Sequence, residues 1–169
     1  MAEHILETDG FTLSFGLSVF ETDLQYAVNT ILSVLVKSGG FSACAKLDID
    51  IRQFIAFIKD LQSIYDTLEG SAKLEEPYGF QQYISFAPDK TGHITVKGYL
   101  CDGRKEHEVY FHNVFDQTCL KDFAEELSPG IGIEDHRVVH RFISNEDGEW
   151  DHYGRCKQMS YPDRPGALS

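Results

Sequence analysis

Seven histidines, four cysteines and 27 acidic side chains are the groups in this 169-residue chain that could do chemistry. His136 and His140 stand four apart behind Glu134 and Asp135, a spacing that would set two imidazoles on one helical face as metal ligands. A zinc-protease pattern also needs a glutamate beside the first histidine, and Arg137-Val138-Val139 fills the interval instead. Surface histidines in a polar tail are the simpler reading. His93 at the mouth of one strand and His112 within another could approach across neighbouring strands, and either could act as a general base. No serine sits on a strand-turn-helix elbow and no cysteine lies in an electropositive setting, so such a base would have no nucleophile to activate. Cys119 has the best case, in the first turn of a helix whose dipole lowers a thiol pKa, but Asp116 and Asp122 oppose that effect.

The carboxylates Asp48, Asp50, Glu75, Glu76, Glu125, Glu126 and the run Glu146-Asp147-Gly148-Glu149 are the raw material of glycosidases and metal-dependent nucleases. Their spacing matches no calcium loop, and a solvated acidic face is the default for such groups. Asp116-Gln117-Thr118 reads as a helix N-cap. The glycines at Gly39-Gly40, Gly130-Ile131-Gly132 and Gly154 lack the spacing and the lysine of a phosphate-binding loop. The sequence therefore predicts no catalytic residue, no cofactor and no metal.

The elements that would position these groups follow from periodicity. Phe11 to Gly16 alternates as a half-buried strand; Asn29 to Lys37 and Phe41 to Leu47 form a hairpin around Ser38-Gly39-Gly40. Leu17 to Val28 has a helix-start signal at Thr22-Asp23 but no assignable period. From Ile51 to Leu68 the residues Ile51, Phe54, Ile55, Ile58, Leu61, Tyr65 and Leu68 recur at steps of three and four, which predicts one long amphipathic helix. Asp48 or Asp50 would cap its start, and Gly70 would take the left-handed conformation past its end. Period two returns in Phe80 to Phe86, Ile94 to Leu100 and Glu108 to Phe115; Ser71 to Glu76 could add another strand, but Pro77 ends it early. A short helix carrying Leu120, Phe123 and Leu127 closes the series at Ser128-Pro129-Gly130. No sequence repeat is visible.

The fold class is thus α+β: an antiparallel sheet of about five to six strands with one long and one short helix packed on it over residues 1–129. Residues 130–169 form an irregular extension, partly ordered through Phe142 and Trp150. Hydrophobic residues at 42%, with twelve Phe and eight Tyr, suffice for a core. The formal charge is −12, and it is unevenly shared: 20 acidic and 10 basic residues precede Gly130, against 7 and 5 after it. Such a surface repels phosphate backbones and anionic membranes, so a basic protein partner is expected, with neither nucleic acid nor membrane. Glu3, Glu7 and Asp9 stand where a signal peptide would carry basic residues, and Ile31 to Val36 and Phe54 to Ile58 fall far short of the roughly 20 apolar residues of a membrane span. Cys44, Cys101, Cys119 and Cys156 are scattered singly, as reduced thiols in a cytoplasm are.

Gly40-Phe41-Ser42-Ala43, Gln53-Phe54 through Leu61 to Leu68-Glu69-Gly70-Ser71-Ala72, Thr91-Gly92-His93-Ile94-Thr95-Val96, and Asp116-Gln117-Thr118 with Leu120, Phe123 and Leu127 follow one another in an order that resembles the WapI-type immunity proteins of bacterial wall-associated toxins. The resemblance runs over about Phe11 to Leu127, and the tail from Gly130 departs from it. It implies a non-enzymatic protein that binds and neutralises a cognate toxin domain, often a nuclease, inside the producing cell. The matching positions are fold markers in that family, with Gly70 and Gly92 setting turns and His93 hydrogen-bonding a loop. Exposed acids, namely Glu75, Glu76, Asp102, Glu125 and Glu126, would meet a basic toxin surface. Three alternatives stand beside it: a phage-type inhibitor that mimics nucleic acid, an enzyme with a His/carboxylate site, and a subunit whose strand edge pairs with itself.

Overall fold

The structure, a computed structural model, describes residues 3–128. The expected extension over 130–169, with His136, His140, Phe142, Trp150 and Cys156, lies outside the described residues. In chain order the elements are β1 (Glu3–Thr8), β2 (Phe11–Val19), a 3₁₀ turn (Glu21–Asp23), β3 (Thr30–Ser38), β4 (Phe41–Ile49), α1 (Ile51–Thr67), β5 (Ala72–Glu75), β6 (Tyr83–Pro88), β7 (His93–Cys101), β8 (Glu108–Asp116) and α2 (Thr118–Leu127). The chain is α+β with one long and one short helix. The single sheet of five to six strands is corrected: eight strands form two antiparallel four-stranded sheets, β1-β2-β3-β4 and β5-β6-β7-β8.

Two features caused the undercount. β1 is an edge strand that buries only Leu6 fully and turns Ile5 and Glu7 outward, so its alternation is masked by acidic residues. The long helix α1 separates β4 from β5, and nothing local to the strands states whether they rejoin one sheet. The result is a duplication of topology without a duplication of sequence, in which each half is a four-stranded meander followed by a helix.

Local chemistry sets the boundaries. Asp50 begins α1 by accepting the Arg52 N–H at 2.9 Å, while the buried amide of Asn29 accepts the Ile51 N–H at 2.8 Å and donates to Asp50 at 3.2 Å. The left-handed residue that ends α1 is Leu68, with φ 55°, whose N–H reaches the Ile64 carbonyl at 2.9 Å; Gly70 follows with φ 83°. The apolar stripes of both helices then meet the inner faces of both sheets. Phe15 of β2 packs against Phe54 and Phe57 of α1 and Phe123 of α2; Phe57 touches Phe86 of β6, and Phe86 touches Phe115 of β8. Phe11 of β2 closes the circuit against Phe111 and Phe115.

The Phe111 ring lies over Gly98, its cross-strand partner on β7, where a Cβ would collide with the ring and stand 3.0 Å from the Tyr83 carbonyl oxygen. A glycine inside a strand is otherwise a weakness, and here it is the floor on which an aromatic ring rests. Gly98→Ala is expected to destabilise the protein by about 1–3 kcal/mol, the usual cost of overpacking a core. Urea unfolding checks this, and an unchanged midpoint would show that Phe111 moves aside freely.

Candidate functional site

His93 opens β7 beneath a turn organised by Asp89. Asp89 Oδ1 accepts from the Thr91 and His93 backbone N–H groups at 2.8 and 2.9 Å and from the Thr91 hydroxyl at 2.8 Å, and the His93 ring meets that hydroxyl at 2.8 Å. The bond from the His93 N–H, followed by that from the Thr91 hydroxyl, pulls the Asp89 carboxyl down to about 2. Gly92, with φ 91°, completes this turn, and its carbonyl accepts the Gln117 N–H at 2.9 Å, so the turn also anchors the entry to α2. His93 pairs across the ladder with Asp116, and His112 pairs with Lys97. Four residues of β7, about 13 Å of strand, separate the two positions, so the approach of His93 to His112 expected from sequence does not occur. Asp116 accepts from the Thr118 N–H and hydroxyl at 2.9 and 2.7 Å, as expected of a helix-start residue. Cys101 and Cys119 are free thiols; Cys101 is buried, and burial raises its pKa.

The five carboxylates expected at a partner surface occupy different environments. Glu125 and Glu126 are exposed on α2, opposite the buried stripe of Leu120, Phe123 and Leu127. Glu75 is half-buried and paired with Lys73 at 2.7 Å. Asp102 lies in the β7–β8 turn, where it accepts the N–H groups of Arg104 and Glu106 at 3.1 and 2.9 Å. Glu76 is only 7% exposed and forms no part of an outer acidic surface. Its carboxylate accepts the Asp48 N–H of β4 at 3.2 Å, and the Gln82 N–H and side-chain amide at 3.2 and 3.1 Å. Gln82, 2% exposed, donates to the Lys46 carbonyl at 2.7 Å and accepts the Cys101 N–H at 2.9 Å. This pair therefore stitches β4 of one sheet to β7 of the other. Sequence reading passed over Gln82 and Asn29, because a buried amide leaves no periodic trace.

Asp102, Glu106 and His107, the first half-buried and the others exposed, bring one ligand atom each to within 4.8 Å of the others in the same turn, donors of a type that can hold a cation. Beside it begins the outer face of the second sheet, where register aligns Glu75, Tyr83, Tyr99 and Tyr110 in one row and Lys73, Ser85, Lys97 and His112 in the next. Tyr99 and Tyr110 stack with centroids 4.7 Å apart, and the Tyr99 hydroxyl donates to Glu108 at 2.7 Å. That hydrogen bond, with burial, holds the Tyr99 phenol above its ordinary range. Among the described residues no helix is long and apolar enough to cross a membrane.

His93 is thus engaged in turn structure, on a two-sheet α+β scaffold that carries charged residues on its turns and helix faces. The sequence profile of the immunity protein WapI-like family matches residues 5–129, so the chain belongs to that family. No curated protein matches this chain. Among solved structures, one described as "Crystal structures of trypanosoma bruciei MRP1/MRP2" is similar at 12% identity over 83% of each chain, with a TM-score of 0.43. A likeness that low carries no argument.

Two consequences of this geometry are measurable. Glu76→Ala leaves the Asp48 and Gln82 N–H groups without their acceptor and is expected to cost on the order of 2–3 kcal/mol, with Glu76→Gln recovering part because its amide oxygen still accepts. Equal unfolding midpoints for parent and Glu76→Ala would remove the clamp from the structural account. Asp89 has a depressed folded pKa, so its ionised form stabilises the fold above the ordinary carboxyl pKa of 3.8, and this contribution is lost as pH falls towards about 2. Asp89→Asn should therefore be less stable than the parent at neutral pH. Acid titration of both proteins should show the gap closing from about pH 4 to about pH 2; a gap constant across that window would place the effect elsewhere.

Proposed function

We propose that this chain is a non-enzymatic immunity protein of the bacterial cytoplasm that neutralises a toxin domain by binding it, and that the target is a nuclease with a basic cleft. The observation that carries this reading is the family match over residues 5–129. The charge balance supports it: with 20 acidic and 10 basic residues before Gly130, the surface would be drawn quickly to a basic cleft through electrostatic steering. Glu125 and Glu126, on the open side of α2 beside Asp122, are the residues best placed to contribute. Asp102 and the partly paired Glu75 add to the field. Glu76 is left out, because its carboxylate is engaged inside the protein.

The test needs the cognate toxin domain. Cells expressing it should survive when this chain is co-expressed. With purified components, doubling the ionic strength or reversing charge in Glu125→Lys/Glu126→Lys should slow association about 3- to 10-fold, with a smaller effect on dissociation. An association rate indifferent to salt would sink the electrostatic part of the proposal. Failure to protect cells would sink the immunity role itself.

A further inference from the structure

Two four-stranded sheets have four edges, at β1, β4, β5 and β8. An open edge presents unpaired N–H and C=O groups from alternate residues and invites another strand. Three of the four are engaged, wholly or in part, by other elements. β1 lies against α2 and β5 against α1, while on β4 the Lys46 carbonyl and the Asp48 N–H are taken by Gln82 and Glu76. β8 is different: it is nine residues long, pairs with β7 on one side, and among the described residues no strand or helix runs along the other. The first sheet reaches β8 from beneath, through Phe11 against Phe111 and Phe115 and through Ser38 bonded to Asn113 at 3.0 Å.

The outward residues of β8 are Glu108, Tyr110, His112, Val114 and Asp116. Tyr110 is 72% exposed and Val114 58%, an apolar pair that a solitary edge strand would ordinarily replace with charge. The charges stand at the two ends instead, and both are acidic. That pattern selects the occupant. Antiparallel pairing of β8 with a second copy, in the register that uses all nine residues, would set Glu108 against Asp116 at both ends, and like charges directly opposite oppose pairing. A strand with basic residues at its ends and β-branched residues between them meets no such repulsion.

We propose that β8 is the docking edge for an extended segment of a basic protein partner, which adds antiparallel as a fifth strand with its apolar residues on Tyr110 and Val114 and its basic ends at Glu108 and Asp116. The inference rests on the reading that this chain binds a basic protein, and it names where. Stacking on Tyr99 holds the Tyr110 ring in place before binding, which reduces the ordering cost of association.

Two capped nonapeptides with the same alternating Val/Thr body, one with lysine at both ends and one with glutamate, serve as probes in amide hydrogen exchange on the full chain. The lysine-ended peptide is expected to slow exchange at outward-facing β8 amides at least tenfold at saturation, and the glutamate-ended peptide to leave them unchanged. Glu108→Gln/Asp116→Asn keeps an acceptor for the Tyr99 hydroxyl and for the start of α2, so it should fold while binding the lysine-ended peptide several-fold more weakly. Val114→Lys, at an exposed position, should weaken it as well. Protection absent from β8, equal binding of both peptides, or binding confined to the acids of α2 would each overturn the proposal. A concentration-dependent dimer that protects β8 without peptide would assign the edge to a second copy and overturn it too. Binding at β8 by a chain that fails to protect cells from the toxin would leave the edge standing and sink only the toxin reading. Cell protection with no protected β8 amide in the toxin complex would do the reverse.

Discussion

The packing of Phe15 against rings from both helices is the contact on which the rest of this structure depends. Phe54 and Phe57 arrive from α1, Phe123 from α2, and the chain of rings continues through Phe86 and Phe115 into the second sheet. Each four-stranded meander has one apolar face and one helix, too little to close a core by itself. Sharing the helices between the halves solves this, because α1 and α2 each present one stripe to a common interior. The order of the chain follows: a helix ends each half, and α1 lies against the first strand of the second half as α2 lies against that of the first.

A core closed by aromatic contacts has little directional preference, and buried hydrogen bonds supply it. Glu76 and Gln82 pair β4 to β7 at one seam, and Asn29 ties the start of β3 to the start of α1 at another. Both clusters have nearly every donor and acceptor engaged, which is the condition under which buried polar groups specify an arrangement rather than destabilise it. The cost falls on the loop between β5 and β6, where Gln81 holds φ 60° and Gly79 φ 89° so that Gln82 can enter the interior.

What remains for binding is whatever this closure leaves over. The helices lie against two of the edge strands and the polar seam engages part of a third, and the fourth is β8, with Tyr110 and Val114 outward and an acid at each end. Acidic groups that look alike in the chain are thereby divided. Glu76 becomes part of the interior, Asp89 and Asp116 organise turns, and Glu125 and Glu126 stay exposed on α2.

Most single elements were legible. The steps of three and four from Ile51 to Leu68 match α1, the alternation in β2 and in β6 to β8 matches the strands, and Asp50 and Asp116 begin the helices as their chemistry requires. These succeed because period and capping are properties of adjacent residues, and so is the net charge. The α+β class and the family likeness were readable for the same reason. The split into two sheets, the membership of β1, the 13 Å or so between His93 and His112 and the burial of Glu76 were decided only by tertiary structure. Each depends on which surface a distant segment covers and in what register. An alternating strand states that one of its faces is apolar, but it does not state what lies opposite, and a carboxylate carries no local mark of whether water or the amide of Gln82 will meet it.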